Sequence, residues 1–234
     1  MKKCLSLALA VCGVLLFLTM PGVSHAAALA PGGSLSGTTG VSTGDTFLSS
    51  EFGTIVADTG TQVITSIAPP GGVSFTVDIR EVVVRDTVTP GNVDFLYQFS
   101  NVGANPSTFV AGISYDSFAG FTTDVGSSPT YANLISGAFT AIPQDGSITR
   151  GPTGIVISDS WQTAVNPGDG TLVLAVVTNA TSWQTGSIQL IDGSVAVATG
   201  FGPAPLVATP EPGTLLLLGF GLMGLVGLGR KFKK

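Results

Sequence analysis

Between residues 46 and 200 the hydrophobic positions fall in short runs rich in Val, Ile, Thr and Phe, and each run is cut by Gly, Pro, Asn or Asp. No stretch before Gly213 sustains the 3.6-residue period of an amphipathic helix, whereas several alternate apolar and polar residues with the two-residue period of a strand. The clearest alternation sets Val93, Phe95, Tyr97 and Phe99 against Asp94, Gln98 and Ser100, which predicts one half-buried strand of an antiparallel sheet. Residues 172–178 (LVLAVVT) are continuously apolar, the pattern of a central strand covered on both faces. Further strands are expected at 47–55, 61–67, 73–85, 109–115, 121–125, 138–142, 155–161, 186–191 and 194–199.

Local signals refine this pattern. In 73–85, Phe75, Val77 and Ile79 share one face, but Glu81 then falls on the apolar parity and Val82 and Val84 on the polar one. Such a switch predicts a β-bulge near Arg80–Val82. Asp192-Gly193 between two strand patterns predicts a type I′ hairpin. Roughly eight to ten strands separated by turn residues at intervals of about 8–12 positions predict an all-β fold, an antiparallel β-sandwich of Ig-like or jelly-roll-like kind. The sandwich is expected over 46–200, preceded by a small-residue, flexible or weakly stranded lead-in at 27–45 and followed by an extended Pro-containing linker at 201–209.

Both ends carry apolar segments that lie outside that domain. Lys2 and Lys3, an apolar stretch over 5–20, and small residues up to Ala26 form a secretory signal peptide with cleavage after Ala26, Ala28 being the alternative. At the other end, residues 213–229 form a run of 17 residues without charge, followed by Arg230, Lys231, Lys233 and Lys234. At about 1.5 Å per residue this run reaches about 25 Å, the short end of a transmembrane helix. The basic tail is expected to stay on the cytoplasmic side.

Removing the signal peptide changes the available chemistry. Cys4, Cys12 and His25 all lie within it, so the mature chain has neither cysteine nor histidine. It can form no disulfide, no Ser–His or Cys–His nucleophile, and no thiolate or imidazole metal site. No catalytic residue, cofactor or metal ligand is therefore assigned, and a non-enzymatic protein is expected. Residues 27–209 carry thirteen acidic side chains and three basic ones, a net charge of −10, so nucleic acid is not an expected partner.

Weaker signals lie elsewhere in the chain. Gly219, Gly221 and Gly224 match the dinucleotide fingerprint G-x-G-x-x-G, but they sit inside the apolar run and lack its strand, its amphipathic helix and its distal acid. Asp116, Asp124, Asp145, Asp159 and Asp169 could serve calcium, yet no EF-hand loop is present and solvated turns explain them better. Trp161 and Trp183 could stack on sugars, although core packing is the simpler role. Asn179-Ala180-Thr181 matches a glycosylation sequon.

The three-part terminus is more specific. Pro210-Glu211-Pro212, then the Gly/Leu-rich apolar run, then Arg230-Lys231 and further lysines, resembles the PEP-CTERM sorting signal of proteins exported by Gram-negative bacteria that make extracellular polysaccharide. The resemblance implies export by the general secretion machinery and transient anchoring in the membrane. It also implies recognition by exosortase, processing near Pro210–Pro212, and a final place on the cell surface or in a polysaccharide-containing matrix or biofilm. The residues fit such a role physically. Both prolines disfavour helix, so Glu211 is held in an extended segment beside the membrane, the form a protease needs in a substrate. A softer resemblance to ectodomains of the same family lies in Thr178-Asn179-Ala180, Trp183, Gly186 and Ile191-Asp192-Gly193, and it implies no catalytic residue. A carbohydrate-binding or carboxylate-dependent carbohydrate-active protein is the alternative reading.

Overall fold

The computed structural model describes residues 28–38 and 43–205. These residues form an all-β unit of fifteen strands, and its helical content is one 3-10 turn at Ser49–Glu51. Among the described residues no helix is long and apolar enough to cross a membrane. The expected signal peptide at 1–26 and membrane run at 213–229 lie outside the described residues.

One sheet is antiparallel and six-stranded: β1 (Ser34–Ser36), β10 (Ser147–Arg150), β11 (Ile157–Val165), β7 (Val110–Tyr115), β14 (Trp183–Ile191) and β15 (Val195–Pro203), in that spatial order. The second is mixed. Its centre is β6 (Val93–Asn101), paired with β5 (Thr76–Asp86) on one side and with β12 (Asp169–Thr171) and β13 (Val173–Thr178) on the other. Beyond β5 lie β3 (Phe52–Asp58) and β4 (Gln62–Thr65). Beyond β13 lie β8 (Thr123–Ser128) and then β2 (Asp45–Thr46), and β9 (Thr140–Ile142) runs parallel to β12. The two sheets share a core built from Phe75, Ile79, Phe95, Tyr97 and Phe99 on one side and Ile113, Tyr115, Ile157, Ile188 and Leu190 on the other.

The apolar run at 172–178 is a central strand as expected, with β13 bonded to both β6 and β8 and buried almost throughout. Two other expectations are corrected. β6 is buried on both faces along its whole length, not half-buried. And the β5–β6 ladder runs in unbroken register from Val77↔Asn101 to Arg85↔Val93, so there is no bulge at Arg80–Val82 against β6. Both corrections have one cause. A second apolar cluster, with Phe47, Phe52, Val82, Val84, Leu96, Leu134, Val173 and Ala175, covers the outer face of the mixed sheet. Val82 and Val84 are apolar because that face is also packed, while Glu81 stays on the inner face as a buried acid. The register irregularity sits instead in β3, between Phe52 and Ala57.

The Asp192-Gly193 hairpin is real but has a three-residue loop. Ile191 pairs with Val195, and within the loop only Gly193 adopts positive φ, 59°, whereas a type I′ turn needs two such residues. β15 also runs through Phe201–Pro203, so the strand takes three residues expected of the linker. Ser34–Ser36 in the lead-in pair with β10 at the edge of the six-stranded sheet.

Two polar side chains fasten loops to this frame. Gln98 on β6 accepts from the amides of Leu134 and Ile135 and donates to Asn133 Oδ1 and the Thr171 carbonyl, which holds the loop bearing Leu134 over the outer face. Arg150, 3 % exposed, donates to the carbonyls of Leu29, Phe118, Phe121 and Gly154 and to Thr123 Oγ1. It thereby joins the lead-in, β8, β10 and the loop before β8. Replacing Arg150 with Met would remove all five of these hydrogen bonds, leaving the Leu29 carbonyl with the Thr123 hydroxyl and the Phe118 carbonyl with the Phe121 amide, and urea denaturation should show a loss of about 3–5 kcal/mol. A loss below about 1 kcal/mol would show that the guanidinium is not needed to join them.

Candidate functional site

Pro210, Glu211, Pro212, Arg230, Lys231, Lys233, Lys234 and Ala26, the residues assigned to sorting, anchoring and signal cleavage, all lie outside the described residues. Gly219, Gly221 and Gly224 also lie outside them, whereas the acidic, tryptophan and sequon candidates are described and are scattered. Asp116 accepts from the amide and hydroxyl of Ser187. Asp145 is fully buried and accepts from the amides of Gln162 and Thr163 and the Thr163 hydroxyl. Asp169 closes its own turn on Asn166. Among the described residues no group of three or more carboxylate, His or Cys side chains is placed to hold a metal ion. Trp161 packs edge-on against Phe99 in the core, and Trp183 lies beneath the Arg85 guanidinium at 5.9 Å. Asn179 is exposed, and its Oδ1 accepts from the Thr122 amide.

The concave site is elsewhere. On the outer face of the mixed sheet, at the end where β13 stops, a cleft of about 750 Å³ opens between β2, the Ser49–Glu51 turn, the β5–β6 turn and β8. That volume is within the range of small-ligand sites. Its lining includes Asp45, Glu51, Asp86, Asp94 and Asp124, with Thr89, Thr122, Thr178, Asn92 and Asn179 beside them and Phe47, Phe52 and Val177 as the apolar floor. The sheet register sets the spacing. Val177 pairs with Asp124 on one side, and on the other Val176 pairs with Phe95, which puts Asp94 opposite Val177. Asp94 and Asp124 thus stand one strand apart from a shared neighbour, about 10 Å between their backbones.

Among the described residues no lysine or arginine lines the cleft, and this governs its electrostatics. Asp94 is 1 % exposed, and burial pushes its pKa up to about 8 despite the hydrogen bond from the Thr178 amide; Asp86 and Glu51 push it further in the same direction. Asp45 is raised by burial and then by the charges of Asp124 and Glu51. At neutral pH the cleft therefore offers a protonated Asp94 in a ring of further carboxyl groups, with hydroxyl and amide groups around them. Such a set suits a ligand bearing hydroxyl or amine hydrogens. Asp94 reads in the sequence as the solvent-facing member of an alternating strand, and nothing in one dimension shows that a second layer of chain covers it.

A second group of acids lies between the sheets. Glu81 is fully buried on β5 and accepts from the Phe201 amide on β15 at 2.6 Å through Oε2. Tyr97 stacks on Tyr115 with ring centroids 4.1 Å apart, and Tyr115 donates to Asp159 Oδ2 at 2.7 Å. Tyr97 lies next to Glu81, but neither its hydroxyl nor Glu81 Oε1 completes a hydrogen bond, and Asp159 Oδ1 is likewise without one. Burial pushes Asp159 up to about 7 and Glu81 well above the carboxylate range.

With this geometry in place, comparison with known families identifies the terminus. Residues 208–231 match the family model of the PEP-CTERM protein-sorting motif. The chain carries a PEP-CTERM motif. That motif marks it as a sorted protein targeted to exosortase, and implies export and a membrane-anchored C-terminus before processing. No curated protein and no solved structure matches the chain.

Asp94 makes a pH test of the cleft. Its folded pKa lies above the unfolded value of about 4, so the stabilisation it gives is complete below pH 4 and is lost as pH rises through about 8. Asp94→Asn keeps an acceptor for the Thr178 amide and removes the ionisation. Urea denaturation between pH 4 and 9 should show a shallower decline for the variant, by a few kcal/mol at the alkaline end. Equal slopes for variant and parent would mean that Asp94 is ionised throughout.

Proposed function

We propose that this chain is an exported, non-enzymatic protein of the cell surface or extracellular matrix, built as a β-sandwich ectodomain that exosortase releases or transfers near Pro210–Pro212. The observation that carries this reading is the sorting motif at 208–231. It is supported by the signal-peptide pattern at 1–26, by the loss of every Cys and His with that peptide, and by the two-sheet architecture of 28–205. The acidic surface keeps such a domain soluble outside the cell, and association with exopolysaccharide and biofilm follows from the destination that the motif's resemblance implies. The segment preceding the motif is short. Ala204 still donates its amide to the Ser182 carbonyl, four positions before the matched region begins.

The cleft favours a second reading, a carbohydrate-binding or carboxylate-dependent carbohydrate-active protein. A protonated Asp94 and the carboxyl groups beside it form the kind of set that glycoside chemistry uses, and the surrounding Thr and Asn groups match a polyhydroxylated ligand. A glycan array with a hydrolysis screen separates the two readings. Turnover abolished by Asp94→Asn would favour the enzyme; neither binding nor turnover favours the structural protein.

Mass spectrometry of the mature protein tests the first reading. The expected N-terminus is Ala27 and the expected C-terminus lies between 209 and 213. Recovery of an intact Lys234 from cells with active exosortase would overturn the sorting claim.

A further inference from the structure

The last strand of the domain lies over a buried acid. Glu81 Oε2 receives the Phe201 amide at 2.6 Å, and a side chain at Gly200 would place its Cβ 2.6 Å from that same oxygen. One turn of the pleat further on, a Cβ at Gly202 would meet Ser117 Cβ at 2.7 Å and the Asp116 carbonyl at 2.9 Å. Gly200-Phe201-Gly202 is thus a strap whose glycines let the backbone close directly on Glu81 and on the Asp116–Ser117 corner. The same three residues lead, through Ala204, into the sorting motif.

The strap covers an acid with no counter-charge. The titratable groups facing Glu81 are Tyr97 on β6, Tyr115 on β7 and Asp116 just after β7, with Asp159 on β11 behind the two tyrosines, every one acidic. On its own strand, Arg80 bonds Asp58, and Arg85 lies over Trp183. An ionised carboxylate in this setting is costly unless water reaches it, and the covering that lies at the edge of its sheet is β15.

We propose that Glu81 and the Gly200–Gly202 strap form a latch that fixes where the sorting segment leaves the folded domain, and that ionisation of Glu81 opens it. The inference rests on the sorting reading above. While the latch is closed, the six residue-to-residue steps from Ala204 to Pro210 let the motif reach no more than about 20 Å from the domain. Freeing Gly200–Pro203 from β14, and with it the Ala204 amide from the Ser182 carbonyl, adds four residues, about 13 Å of further reach toward a membrane-embedded processing enzyme.

Hydrogen exchange on the full chain tests the latch. After correction for intrinsic rates, protection of the Phe201 amide should fall about tenfold per pH unit from pH 5 until the closed-state acid itself ionises. Glu81→Gln keeps the acceptor and the volume but cannot ionise, so its protection should be nearly independent of pH. Amides of β11 serve as the reference for global opening. Equal pH dependence in parent and Glu81→Gln, or loss of protection in β11 at the same rate as at Phe201, would overturn the latch. Gly200→Ala should open the strap at every pH and speed cleavage by exosortase-containing membranes. Cleavage of the parent with no acceleration by Gly200→Ala would refute the link to processing, whereas no cleavage of any form would refute the sorting reading itself.

Discussion

A shortage of positive charge is the constraint on which the rest of this domain depends. Residues 27–209 hold thirteen carboxylates and three arginines, and each arginine is committed away from the buried acids. Arg80 pairs with Asp58 at 2.5 Å near the surface, Arg85 lies over Trp183, and Arg150 is enclosed by carbonyl oxygens. Glu81, Asp94 and Asp159 are therefore buried without a cation, and each is pushed toward the neutral form. Neutral acids can be tolerated in a protein interior where ionised ones cannot.

This links the two acidic regions that flank the mixed sheet. On its outer face, Asp94 gives the cleft a protonated carboxyl among other acidic side chains. On its inner face, Glu81 holds the amide of the last strand before the sorting motif. β5 and β6 are covered on both sides, so each can bury acids toward either sheet face. The same two-sided packing makes the stacked Tyr97–Tyr115 pair a bridge between sheets, with Asp159 accepting from its far end.

Much of the fold was legible in the sequence. Alternation and turn residues locate eleven of the strands, and the uninterrupted apolar run marks β13 as central. The short strands β1, β2, β10 and β12 were not legible, because two to four residues carry no period and their pairing is long-range. The parity change at Glu81 was visible but ambiguous: a bulge and a second packed face leave the same trace. The outer-face cluster comes from Phe47, Phe52 and Leu134, far apart in the chain, and only their assembly decides between the two. The terminal motif was legible in full because its meaning lies in local order, proline, apolar run, then basic tail. The cleft was not, because Asp45, Asp94 and Asp124 come together through register across β2, β8, β13 and β6.

The protonation of Glu81 is the most direct point of contact between this account and measurement. The chain has three glutamates, Glu51, Glu81 and Glu211, so selective ¹³C labelling of glutamate gives three side-chain carboxyl signals. At pH 7 the Glu81 signal, assigned by its loss in Glu81→Gln, should have the shift of a protonated acid. A Glu81 signal at the ionised position at pH 7 would contradict it.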